Sequence, residues 1–151
     1  MRLTAKSEYG LLAMIDLACR CGDGPVSARE ISERQAIPGK FLEQLFVSLR
    51  KAGLVTAARG ARGGFVLSRS PEDVTVLDVV EALEGPLVST VCDSERAAAC
   101  GRGDSCAASR VWSAATDSLR DVFQSHNLAA LASTQTSMLA AEVPVTTGEK
   151  D

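Results

Sequence analysis

From Tyr9 to Cys19 apolar side chains recur at helical spacing. Tyr9, Leu12, Ala13 and Ile15 fall on one face, Cys19 continues it into the core, and Thr4 or Ser7 stands ahead as an N-cap. Gly22, Gly24 and Pro25 stop this helix near Arg20. Ser27 followed three residues later by Glu30 is a capping box: the hydroxyl accepts from the third backbone N–H and the carboxylate reaches back to the cap. A short second helix over 28–35 follows, broken by Ile37 and Pro38. A third, over 38–52, puts Phe41, Leu42, Leu45, Phe46 and Leu49 on one face and Lys40, Glu43, Gln44, Ser48 and Lys51 on the other, with Gly53 as its left-handed stop.

Beyond Gly53 the period changes from helical to extended. Residues 54–59 and 65–68 are short strand-like runs joined by Gly60-Ala61-Arg62-Gly63-Gly64, a hairpin whose tip combines glycine with arginine. Thr75 and Asp78 open a further helix with Val76, Val79, Val80 and Leu83 as its apolar positions, ending at Gly85-Pro86. Regular pattern is lost from Leu87 to Ser105. It resumes in a long helix to about Phe123, striped by Val111, Trp112, Ala115, Leu119, Val122 and Phe123. Asn127 caps a short turn over 128–132, and the polar and small residues from Ser133 onward read as a frayed tail.

The predicted fold is therefore mainly α with a small β-hairpin. Two short helices, a tight connection and a hairpin make a winged helix-turn-helix, in which the later helix of the pair enters the major groove and the wing touches backbone or minor groove. Helix 38–52 suits that role, since its apolar face holds it on the domain while Lys40, Glu43 and Gln44 are free to meet base edges. Gln can pair with adenine and Glu can accept from cytosine. At the wing, Arg59, Gly60 and Arg62 offer guanidinium groups and a backbone with little side-chain bulk.

Charge sharpens this picture once it is split. The 151 residues carry a net charge of -3, which by itself argues against a polyanion partner. Residues 1–70 nevertheless hold +5 and residues 71–151 hold -8. The positive charge is densest where Arg29, Arg34, Lys40, Arg50, Lys51, Arg59, Arg62 and Arg69 face only Glu30, Glu33 and Glu43. Such a gradient fits double-stranded DNA, the competing reading being a solvated helix surface. No apolar run is long enough to cross a membrane, and the polar opening from Met1 to Glu8 is unlike a secretory leader. A cytoplasmic protein is expected, with an odd number of cysteines, five, acting as ligands or sensors rather than as disulfides.

Cys92, Cys100 and Cys106 lie in the patternless segment at C-x7-C-x5-C spacing, among alanines and glycines that let a loop wrap around a ligand. The absence of a C-x2-C pair lowers the case for zinc, and three thiolates leave a tetrahedral zinc site one ligand short. An iron–sulfur cluster fits better, because iron in such clusters prefers thiolate and one iron can take a different ligand. His126, the only histidine, sits at a helix end and reads as a surface or capping residue; Cys19 reads as core and Cys21 as a helix-end residue.

Residues 1–132 resemble the iron–sulfur winged-helix regulators of the IscR, NsrR and RirA type. The resemblance is carried by Met1-Arg2-Leu3-Thr4, by Ile31-Ser32-Glu33-Arg34-Gln35, by Phe41 to Phe46 with Leu49 to Val55, by Arg59-Gly60 with Gly63 to Leu67, and by three cysteines ahead of a helix containing Trp112. It implies a DNA-binding transcriptional regulator, a repressor rather than an enzyme, that senses iron, redox or nitric-oxide status through a four-iron four-sulfur or two-iron two-sulfur cluster. It also implies a homodimer on a palindromic operator, with Glu43 and Gln44 at base-reading positions and Arg59 at a wing contact. On that resemblance the chain divides into a DNA-binding domain (1–85), a cluster-binding loop (86–106), a dimerisation helix with a short helix after it (107–132) and a disordered tail (133–151).

Two departures bear on the cluster. The position three residues after the last cysteine, a histidine in IscR-like proteins, is Ser109, and the x7 gap is closer to RirA. Glu8 matches in position the carboxylate that reaches the cluster from the other subunit in NsrR-like relatives, which makes it the candidate fourth ligand. The alternative is a cluster-free regulator of the same fold in which the thiols form a redox switch. A small thiol or metal enzyme is disfavoured, because no C-x2-C pair, second histidine or activated nucleophile is present.

Overall fold

Four of the helices begin at side-chain caps written in the local sequence. Ahead of α1 (Ala5–Cys19), the Thr4 hydroxyl accepts from Lys6 N at 3.2 Å and Ser7 Oγ accepts from Thr4 N at 3.3 Å. Both expected caps are thus used. In α2 (Ala28–Gln35) Ser27 Oγ accepts from Glu30 N while Glu30 accepts from Ser27 N at 2.9 Å. Ala36, at φ 52°, turns the chain out of α2, and α3 (Gly39–Lys51) starts directly after Pro38. In the computed structural model, which describes residues 3–87, 100–102 and 105–142, these helices pack around Ala13, Met14, Ile31, Leu42, Phe46 and Leu49, all nearly solvent-free.

The hairpin pairs β1 (Val55–Ala58) with β2 (Gly64–Leu67), antiparallel, with Val55 opposite Leu67 and Ala58 opposite Gly64. Val26, just before α2, adds a bridge to the other edge of β2: Val26 N donates to Phe65 O at 3.0 Å and Phe65 N to Val26 O at 2.8 Å. That contact explains Gly64. A Cβ there would lie 2.3 Å from the Val26 carbonyl oxygen, a backbone atom that has no room to yield. The glycine serves the seating of the wing on its own domain, a role the sequence expectation of reduced bulk toward DNA did not contain.

A single 3-10 turn (Pro71–Asp73) leads to α4 (Val76–Glu84), again opened by a capping box, Thr75 with Asp78. Val79 and Leu83 of α4 face the main core, whereas Val76, Leu77 and Val80 form a second cluster with Leu87, against which Phe123 packs. α5 (Ala107–Gln124) is the long helix expected from its stripe, yet none of its residues is buried. Arg120 pairs with Glu81, fastening α5 to α4.

The C-terminal part departs from expectation. Asn127 does cap a helix, its Oδ1 accepting from Ala130 N at 2.8 Å, but α6 (Leu128–Glu142) continues well beyond the short turn over 128–132. The tail expected from Ser133 is helical to Glu142. Its residues are mostly small, with no broad apolar stripe to announce a helix; packing against α1 decides the matter instead. Leu128 and Ala132 belong to the same core as Ala13, Met14 and Leu17, so that core is not confined to residues 1–85. Cys19, read from sequence as core, is exposed at this α1–α6 contact, its thiol 3.7 Å from the Ala132 carbonyl. Among the described residues no helix is long and apolar enough to cross a membrane.

Candidate nucleic-acid interface

The helix α3 is strongly two-sided. Leu42, Leu45, Phe46 and Leu49 are buried, and Lys40, Glu43 and Gln44 are exposed on the opposite side. Two aromatic contacts fix the helix in place. Phe46 stacks on Phe65 of β2, ring centroids 4.0 Å apart and planes 3° from parallel, and Tyr9 of α1 meets Phe41 edge to face at 5.6 Å. The first contact couples α3 to the wing, so the two elements expected to touch DNA are held by one packed pair. Arg59, Gly60 and Arg62 all lie exposed at the tip of that wing.

The basic surface is smaller than the sequence count implies. Arg29 is paired with Glu33 at 2.8 Å, and Arg34 is bound to the buried Asp16. Asp16 accepts from Arg34 Nε and Nη2 at 2.9 and 2.7 Å and from Gln35 Nε2 at 3.0 Å. Burial pushes the Asp16 carboxyl upward, but these bonds and the nearby Arg34 and Arg20 charges outweigh it and hold the group below the ordinary carboxylate range. Arg34 is therefore a structural residue joining α2 to α1. Lys40, Arg50, Lys51, Arg59, Arg62 and Arg69 are exposed, with no ion pair among the described residues. Val47, absent from the expected contacts, shares the exposed face of α3 with Lys40, Glu43 and Gln44; its helical phase was the sequence signal.

Of the three loop cysteines, Cys92 lies outside the described residues. Cys100 is exposed, and Cys106 is half-buried as the N-cap residue of α5. Hydrogen bonding from the Ser109 backbone holds the Cys106 thiol below its usual range, helped by the Ala108 backbone and Arg102. Glu8 is exposed on the first turn of α1. Among the described residues no three His, Cys, Asp or Glu side chains gather into a metal-binding group within the single chain. His126 is exposed at the end of α5, its Nδ1 2.8 Å from the Val122 carbonyl, in keeping with a capping role.

Comparison with known proteins follows the same lines. Residues 3–134 match the family described as "Rrf2: Iron-dependent Transcriptional regulator". The HTH-type transcriptional regulator IscR of Photorhabdus laumondii is 37% identical over 135 residues, which is 89% of this chain and 81% of that protein. Among solved structures, T. potens IscR superposes with a TM-score of 0.73 at 36% identity, covering 95% of this chain and 93% of that one. CymR, the global cysteine regulator of B. subtilis, gives the same TM-score and identity over 89% of this chain and 98% of its own.

Proposed function

The chain belongs to the Rrf2 family of transcriptional regulators, and we propose that it grips a palindromic operator with α3 and the wing, as a homodimer whose DNA affinity is tuned by an iron–sulfur cluster. It is a DNA-binding regulator of transcription, not an enzyme. The observation that carries the reading is the two-sided α3: a polar face of Lys40, Glu43 and Gln44 backed by buried leucines and stacked through Phe46 onto the arginine-tipped wing. Glu43 and Gln44 read base edges in the major groove, and Arg59 and Arg62, with the exposed Gly60 backbone, contact phosphate or the minor groove. The unburied α5, with Val111, Trp112 and Val122 outward, is the dimer helix. Cytoplasmic location and repression by occupying a promoter follow from the same reading.

The donor chemistry fits a cluster. Cys106 is held toward the thiolate that iron binds, Cys100 is solvent-accessible, and Cys92 supplies the third sulfur by sequence. Glu8 from the other subunit is the fourth candidate, on its exposed place in the first turn of α1 and its positional match to the carboxylate of NsrR-like regulators. A bound cluster would couple its redox state to the start of α5 and thereby to the dimer. Anaerobic purification of the full chain with iron and sulfide analysis tests this, alongside a footprint on its own promoter. Loss of iron and sulfide from the Cys92, Cys100 and Cys106 triple alanine variant is the expected result, and retention at the wild-type level would refute it.

Similarity to the cysteine regulator CymR and the open position of Cys100 favour a second reading, a cluster-free thiol switch. Two thiols would lose two electrons and two protons to a peroxide, forming one disulfide as the peroxide is reduced. A reversible disulfide within 92–106, in protein free of iron and sulfide, would favour this reading over the first.

A further inference from the structure

We propose that Val47 reads thymine: its side chain makes the apolar contact to a thymine 5-methyl group in the major groove, between the polar contacts of α3. The inference rests on the operator-binding reading and adds a base identity to it. Val47 follows Glu43 by four residues and Gln44 by three, and Lys51 follows Val47 by four, so it stands in the middle of the exposed stripe that begins at Lys40. It is 67% exposed, the most exposed large apolar side chain among the described residues.

Among the described residues nothing accounts for valine there. The core face of α3 is complete in Leu42, Leu45, Phe46 and Leu49, and a β-branched residue on an open helix face is a poorer helix former than the Lys, Gln or Glu around it. Beside it opens a groove of about 490 Å3 bounded by Arg50, Lys51 and the β1 residues Val55, Thr56 and Ala57. The outward face thus presents one apolar group ringed by cations and amide or carboxylate groups. The major-groove edge of DNA carries the matching arrangement, since the thymine methyl is its one apolar group, set among donors and acceptors and flanked by phosphates.

The test isolates a methyl group on each side. Duplexes selected from a random library by the full-length protein define the bound site, and each thymine in it is then replaced by deoxyuridine, which removes only the 5-methyl. Wild-type affinity should fall roughly fourfold at one or more thymine positions, the effect of one buried methyl group. Val47→Ala should bind the thymine duplex more weakly and be indifferent to that same replacement, with an unchanged melting temperature. If deoxyuridine costs nothing at any position, or costs Val47→Ala as much as wild type, the inference is overturned while the operator reading stands. If the library yields no enriched sequence, the operator reading itself fails and takes this inference with it.

Discussion

The carboxylate of Asp16 receives both the Nε and the Nη2 donors of Arg34, across an interval of eighteen residues, and so bolts α2 to the buried side of α1. Its bonds win over its burial, leaving the folded-state pKa below the unfolded value of about 4. A depressed carboxylate stabilises the fold above the unfolded pKa, and this contribution is lost as pH falls through the folded one. Glu84 behaves alike: burial raises it, but hydrogen bonds from Thr4 and Ser7 lower it further. Denaturant titrations from pH 7 down to about pH 2 should therefore show an acid limb. Asp16→Asn should be less stable at pH 7 by about 2 to 4 kcal/mol, with the deficit shrinking below about pH 4. A deficit that is constant with pH would contradict the assignment.

Gly10 is placed in the middle of α1 against Leu83, where an added Cβ would stand 2.1 Å from Leu83 Cδ1. Helix propensity alone predicts that Gly10→Ala gains about 1 kcal/mol. The packing predicts the opposite sign, because forcing a methyl into this α1–α4 contact costs about 1 to 3 kcal/mol. Chemical denaturation should show net destabilisation, partly relieved when Leu83→Val is introduced in the same chain.

At the wing, Arg59→Ala and Arg62→Ala should weaken binding to every duplex in similar proportion and reduce the salt dependence, by about 0.9 in the log–log slope for each phosphate no longer neutralised. Gln44→Ala should instead leave that slope alone and change which sequences are preferred. Fluorescence anisotropy over a series of salt concentrations separates the two behaviours.

Trp112 is 56% exposed on α5, a helix with no buried residue of its own in the single chain. Trp112→Glu should leave the melting temperature of the folded subunit almost unchanged and raise the dimer dissociation constant by at least roughly thirtyfold. Sedimentation equilibrium reads this directly; an unaltered dimer would remove α5 from the interface.

The parts of this protein that follow from neighbours in sequence were legible without coordinates. Thr4, Ser27 with Glu30, and Thr75 with Asp78 mark helix starts because a cap is satisfied within three residues, and the leucine face of α3 is visible because a helix repeats every three to four. The polar face of α3 and the wing could be proposed as the DNA contact for the same reason. What only the tertiary structure decided involves residues far apart along the chain. By sequence Arg34 reads as part of a phosphate-binding surface, but Asp16 holds it; Gly64 reads as turn chemistry, but the Val26 carbonyl fills the space beside it. α6 offered no apolar stripe of its own, and it is a helix because Leu128 and Ala132 complete the core around α1. Local hydrogen bonds are set by positions a few residues apart, whereas ion pairing, close backbone approach and helix docking depend on which surfaces the whole fold brings together.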